Sequence, residues 1–151
     1  MKVGIIGAGR IGKVHLESIT RYVKGAEVAA MADQFMNAET EAFIKSMGVK
    51  KAVKDYRESL ADKDIDAVLI CSSTDTHAPI SLEAIAAGKH VFCEKPVDHD
   101  ISNIQKVKKA LEGSNVKYQV GFNRRFDHNF AAVKQAVEEG KIGALNVLKI
   151  C

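Results

Sequence analysis

The sequence predicts an α/β domain, a doubly wound parallel sheet covered by helices on both faces. Three observations predict it. Short continuous apolar runs, such as Val3-Gly4-Ile5-Ile6 and Ala67-Val68-Leu69-Ile70, alternate with longer amphipathic stretches, the pattern of strands buried on both faces and the helices that cover them. The first run leads directly into Gly7-Ala8-Gly9-Arg10-Ile11-Gly12, glycines spaced for a strand–turn–helix passage. An acid, Asp33, stands at the end of the second run, 21 positions beyond Gly12.

The elements follow in order. Lys2–Ile6 reads as the first strand and Ile11–Thr20 as its helix; Glu27–Met31 is the second strand, leading to Asp33. Ala38–Met47 is helical and stopped by Gly48, with a short third strand near Ala52-Val53. Ala67–Ile70 is the fourth strand, followed by the polar loop Ser72-Ser73-Thr74-Asp75-Thr76. Pro79 near a helix start and Gly88 just past its end bracket a helix carrying Ile80, Leu82, Ile85 and Ala86, the usual placement of those two residues. His90–Cys93 is the fifth strand, Ile101–Leu111 a helix, Val116–Val120 the sixth strand and Asn129–Glu138 a further helix. Six strands separated by helices complete a dinucleotide fold of the Rossmann type. A last strand-like stretch, Ala144–Ile150, reads either as an edge strand that simply ends or, as the preferred expectation, as the opening of a second, substrate-binding domain that is missing here. The expected division is residues 1–121 for the dinucleotide-binding core and 122–151 for a junction helix and the start of a truncated domain.

Composition narrows the function. The 151 residues are 46% hydrophobic and 27% charged with a formal charge of +3, an ordinary globular balance. Lys106-Val107-Lys108-Lys109 sits in a helical pattern without interleaved aromatics, so it reads as a solvated face and nucleic acid is not an expected partner. No apolar run approaches the roughly 20 residues that span a bilayer, and no cleavable leader is visible. Cys71, Cys93 and Cys151 are odd in number and lack Cys-x-x-Cys spacing. Buried thiols in a reducing cytoplasm are expected, with neither a disulfide framework nor a metal site.

The glycine turn carries the clearest chemistry. Gly7 permits a tight turn, Gly9 lets main-chain amides approach a diphosphate, and Gly12 lets the helix pack on the sheet. Arg10 and Ile11 open that helix, whose free N–H groups and dipole favour an anion. Asp33 is placed to accept hydrogen bonds from both adenosine ribose hydroxyls and to repel a 2′-phosphate, so NAD is expected over NADP; the alternative is a helix-capping aspartate. Ser72, Thr74 and His77 can reach the diphosphate or the nicotinamide ribose, or Thr74 and His77 can serve the helix start, as Asp75 and Thr76 are expected to do. Glu94-Lys95-Pro96 leaves the fifth strand where a nicotinamide would lie. The Lys95 ammonium there can polarise a substrate hydroxyl, and a cis bond before Pro96 would direct it. In Gly121-Phe122-Asn123-Arg124-Arg125-Phe126-Asp127, Asn123 and Arg125 can bind a polyol, an anion or the nicotinamide carboxamide; alternatively Arg124 or Arg125 pairs with Asp127.

These stretches, with Asp64-Ile65-Asp66-Ala67-Val68 and Thr74-Asp75-Thr76-His77, resemble the Gfo/Idh/MocA oxidoreductases over essentially the whole chain. Glu94-Lys95-Pro96 is characteristic of that family, and the Gly121–Asp127 run resembles its inositol branch. The resemblance implies NAD-dependent oxidation of a small cyclic polyol, myo-inositol to the 2-inosose, with Lys95 as the catalytic lysine and Glu94 in the cofactor site. It implies a homo-oligomer for the full-length enzyme. It also implies a general base in an Asp-x-x-x-His pattern on a second domain; the sequence contains no such pattern, so this chain alone is expected to be inactive. The rival readings are a stand-alone dinucleotide-binding or regulatory module, and another sugar or cyclitol dehydrogenase of the same family.

Overall fold

A computed structural model of the chain describes residues 1–149. Its contacts divide into two units, Met1–Gly121 and Phe122–Cys151. The first unit holds six parallel strands: β1 (Lys2–Ile6), β2 (Glu27–Ala32), β3 (Lys51–Val53), β4 (Ala67–Ile70), β5 (His90–Cys93) and β6 (Tyr118–Val120). Their order across the sheet is β3-β2-β1-β4-β5-β6, parallel at every junction. Order reverses between β1 and β4, so the connections leaving these two strands cover opposite faces. A crevice opens between them at the carboxyl ends.

The connecting helices are α1 (Arg10–Tyr22), α2 (Ala38–Ser46), α3 (Arg57–Ala61), α4 (Thr74–Ala86) and α5 (Ile101–Leu111). Consecutive strand residues point to opposite faces, and the core divides accordingly. Ile5 and Met31 join a cluster with Leu16 of α1 and Ile44 of α2. Ile6 and Ile70 join the other, with Leu60 of α3, Ile80 of α4 and Val107 of α5. On α1 the residues facing the sheet, Gly12, Leu16 and Ile19, recur at helical spacing. Helices α2 and α5 start on side-chain caps, Asn37 to the Thr40 amide at 2.9 Å and Asp100 to the Ser102 amide at 2.8 Å, satisfying first-turn donors that otherwise lack a partner.

Three features depart from the sequence pattern. Helix α4 begins at Thr74, so Pro79 lies inside it rather than at its start. Pro79 is exposed, and the carbonyl it cannot bond, that of Asp75, belongs to another exposed residue. Helix α3, unforeseen, is a single turn anchored by buried Ser59 and Leu60, too short for a periodic signal. The stretch expected as a terminal strand forms none over residues 144–149, while residue 150 and Cys151 lie outside the described residues. A strand exists through its ladder to a neighbour, and here Leu145, Val147 and Leu148 are exposed instead.

The second unit is described by itself. A short 3-10 turn, Asn123–Phe126, leads into α6 (His128–Glu138). Asp127 caps α6 through the amides of Asn129 and Phe130 at 2.9 and 3.3 Å. Those bonds hold its carboxyl below the usual carboxylate range. No helix among the described residues is long and apolar enough to cross a membrane.

Candidate functional site

A cleft of about 500 Å³ opens at the carboxyl ends of β1, β2 and β4. The glycine turn forms its floor. Gly7 has φ 103°, and a Cβ there would lie 2.6 Å from the main chain of Cys71; at Gly12 a Cβ would lie 2.0 Å from the Gly7 carbonyl oxygen. Both positions therefore demand glycine for the fold itself. Gly9 differs: a Cβ there meets nothing within 4 Å. It is the N-cap of α1 and offers no side-chain cap, and the first helical bond is Lys13 N–H to the Gly9 carbonyl at 3.0 Å. The amides of Arg10, Ile11 and Gly12 precede that bond, so they are the free donors of the helix start. Open space before unpaired amides is the geometry a diphosphate requires.

Asp33 is more than a ribose acceptor in waiting. One carboxylate oxygen accepts from the Ala8 amide at 2.7 Å and the other from the Phe35 amide at 2.8 Å. The first bond ties the end of β2 to the glycine turn. The cap of α2 is Asn37, so Asp33 caps no helix. Each oxygen keeps a second lone pair, and Asp33 lines the cleft beside Gln34 and exposed Phe35.

The loop after β4 supplies the opposite wall through Ser72, Ser73 and Thr76. Thr76 Oγ1 donates to the Ser73 carbonyl at 2.7 Å, so in its 2.7 Å contact with Ser72 Oγ it must accept. The Ser72 hydroxyl is thereby left as an acceptor, suited to a sugar hydroxyl rather than to a phosphate oxygen. Thr74 stands in the first turn of α4 and is not among the residues lining this cleft, whereas Thr76, expected only at the helix start, is. His77 does not face the cleft. It is 2% exposed, with Nδ1 2.7 Å from the Pro96 carbonyl oxygen and Nε2 3.0 Å from that of Ser72. Neither ring nitrogen is free for a cofactor.

At the neighbouring strand end, Lys95 is exposed and the Lys95–Pro96 bond is cis. Glu94 points back into the protein. Its Oε1 lies 2.8 Å from His15 Nε2, and its Oε2 accepts from the Lys95 amide at 3.3 Å. His15, which the sequence pattern did not single out, reaches this carboxylate from α1 and packs edge-on against Phe92. A usable signal existed: His15 follows Gly12 by three residues, on the same helix face. In the second unit, Asn123 and Arg125 are exposed in the 3-10 turn. There Arg124, not Arg125, realises the ion pair with Asp127 at 3.2 Å and lies over the Phe130 ring.

Residues 1–122 match the family model GFO_IDH_MocA, an oxidoreductase family with an NAD-binding Rossmann fold. The chain belongs to the Gfo/Idh/MocA family. Its cofactor is NAD, and the residues present fit it: free amides, an open Gly9 and an acid at the second strand end. Myo-inositol 2-dehydrogenase of Thermotoga maritima is 41% identical over 150 residues, 99% of this chain and 44% of that protein. Inositol 2-dehydrogenase of Rhizobium meliloti is likewise 41% identical, with the same coverage. The crystal structure of scyllo-inositol dehydrogenase from Lactobacillus casei, with bound NAD(H) and scyllo-inositol, superposes with a TM-score of 0.88 at 38% identity, covering 95% of this chain and 42% of that one. The chain thus spans less than half the length of the relatives it matches.

Proposed function

We propose that this chain supplies the NAD-binding half, and the lysine of the reacting centre, for oxidation of a cyclic polyol, myo-inositol to the 2-inosose. The observation that carries the reading is the position of Lys95. It leaves β5, the strand next to β4, whose following loop lines the cleft. A dinucleotide whose diphosphate rests on Gly9 and whose adenosine ribose meets Asp33 extends its other half toward that strand end. NAD, when bound, supplies a hydride acceptor. Lys95 hydrogen-bonds the reacting hydroxyl and stabilises the oxyanion as its proton leaves. Ser72 accepts from a ribose hydroxyl. The names of the relatives support the polyol class.

The base and most of the polyol pocket belong, on this reading, to a second domain of which residues 122–151 are the junction. Consistent with the lack of an Asp-x-x-x-His pattern, the chain by itself binds NAD weakly and oxidises inositol barely or not at all. The full-length enzyme works as a homo-oligomer in the cytoplasm. A second reading, oxidation of another cyclitol, is favoured by the scyllo-inositol held in the Lactobacillus casei structure.

The test joins this chain to the C-terminal domain of the Thermotoga maritima relative and measures NADH formation from myo-inositol, scyllo-inositol and glucose. Oxidation of myo-inositol fastest, with kcat lowered about 100-fold or more by Lys95→Ala and NAD affinity unchanged, bears the reading out. Equal turnover by the Lys95→Ala variant contradicts it.

A further inference from the structure

The His77 ring stands between two segments that the proposed function uses separately. One is the loop after β4, where Ser72 lines the cleft; the other is the turn after β5 that carries Lys95. Carbonyl oxygens only accept, so His77 Nδ1 must donate to Pro96 and Nε2 to Ser72. A neutral imidazole has one N–H. Both bonds therefore coexist only in the imidazolium, and the neutral ring sets a lone pair against a carbonyl oxygen.

We propose that His77 is a positioning residue, an imidazolium clamp that fixes the Lys95–Pro96 turn to the cofactor-binding Ser72 loop. The clamp rests on the reading of Lys95 above. The surroundings are consistent with a charged ring. The ionisable groups around it are Cys93 at the end of β5 and, beyond that thiol, Tyr118 of β6, which bonds Ser81 of α4 at 3.0 Å. Burial opposes the charge, but Cys93 and the two carbonyls outweigh it and raise the ring to about 9. Loss of the proton releases one carbonyl, and with it the link between the lysine and the cofactor wall.

NMR of this chain tests the clamp. Two-bond proton–nitrogen correlations show which ring nitrogens of His77 carry protons, and the amides of Ser73 and Val97 share peptide groups with the two accepting carbonyls. The clamp predicts both nitrogens protonated near neutral pH. It also predicts that Ser73, Val97 and the Lys95 side chain shift with the midpoint of the ring. NAD affinity should fall roughly three- to tenfold across that midpoint. In His77→Phe the weaker affinity should no longer vary there, while His77→Gln, which keeps one donor group, should recover part of it. A ring neutral near pH 7, or Ser73, Val97 and Lys95 signals indifferent to its titration, overturns the proposal even if neither variant folds. A chain that shows the coupled titration but binds no NAD contradicts the proposed function and leaves the clamp standing.

Discussion

Glycines that look alike in the sequence do different work. Gly12 and Gly7 are required by the fold, since a methyl group at either meets main chain at 2.0 or 2.6 Å. Gly9 faces empty space, so the fold does not require a glycine there, and its proposed role is toward the ligand. Gly12→Ala should therefore cost about 3 kcal/mol or more in urea unfolding. Gly9→Ala should leave the unfolding midpoint nearly unchanged and weaken NAD about tenfold or more by calorimetry. Asp33→Ala removes the bond to Ala8 as well as the ribose acceptor; NAD should weaken roughly ten- to a hundredfold and the preference over NADP should vanish. The residue types at this end of the cleft were legible because spacing alone specifies them. The His77–Pro96 and His15–Glu94 contacts were not, because each joins separate elements; spacing from Gly12 marks the helix face on which His15 lies but not its partner. His77 also gives a pH dependence. Its ring is raised from the ordinary 6.5 to about 9, so its contribution to stability is complete below about pH 6.5 and is lost as pH rises through about 9. Thermal unfolding of the wild type should show a decline over that window that His77→Phe lacks.

Helices and strands were readable in proportion to how much of their pattern is local. The sheet's central strands are continuous apolar runs, and α1 and α5 show clear periodicity, so these emerged with nearly the observed bounds. The sequence pattern starts helix α4 too late because Pro79 is a strong marker of a helix start, whereas in the structure it occupies the exposed side of the second turn. Helix α3 is one turn, and no period is visible in one turn. The stretch 144–149 has the composition of a strand, but a ladder partner is not a local property. For α1, whose free first-turn amides are proposed to hold the diphosphate, the anchor is Leu16, fully buried with Ile5 and Ile44. Leu16→Ala should cost about 3 kcal/mol by urea denaturation. It should weaken NAD as well, since the helix start is held by this packing.

At the scale of the whole molecule, the cleft is a consequence of strand order. Reversal between β1 and β4 parts the connections that leave them, and the glycine turn, Asp33 and Ser72 reach one crevice from three strand ends. Alternation of strands and helices implies that order, which is why the fold class and the cofactor could be read before any coordinates. The substrate could not, because nothing in the alternation of strands and helices specifies which groups would contact it. The most direct test of the account is an NMR titration of this chain with NAD. The account predicts large shifts at the amides of Ala8 through Gly12 and at Asp33, saturating together and reproduced only weakly by NADP. Amides of the glycine turn that stay unmoved at saturating NAD, in a chain whose spectrum is that of a folded protein, would contradict it.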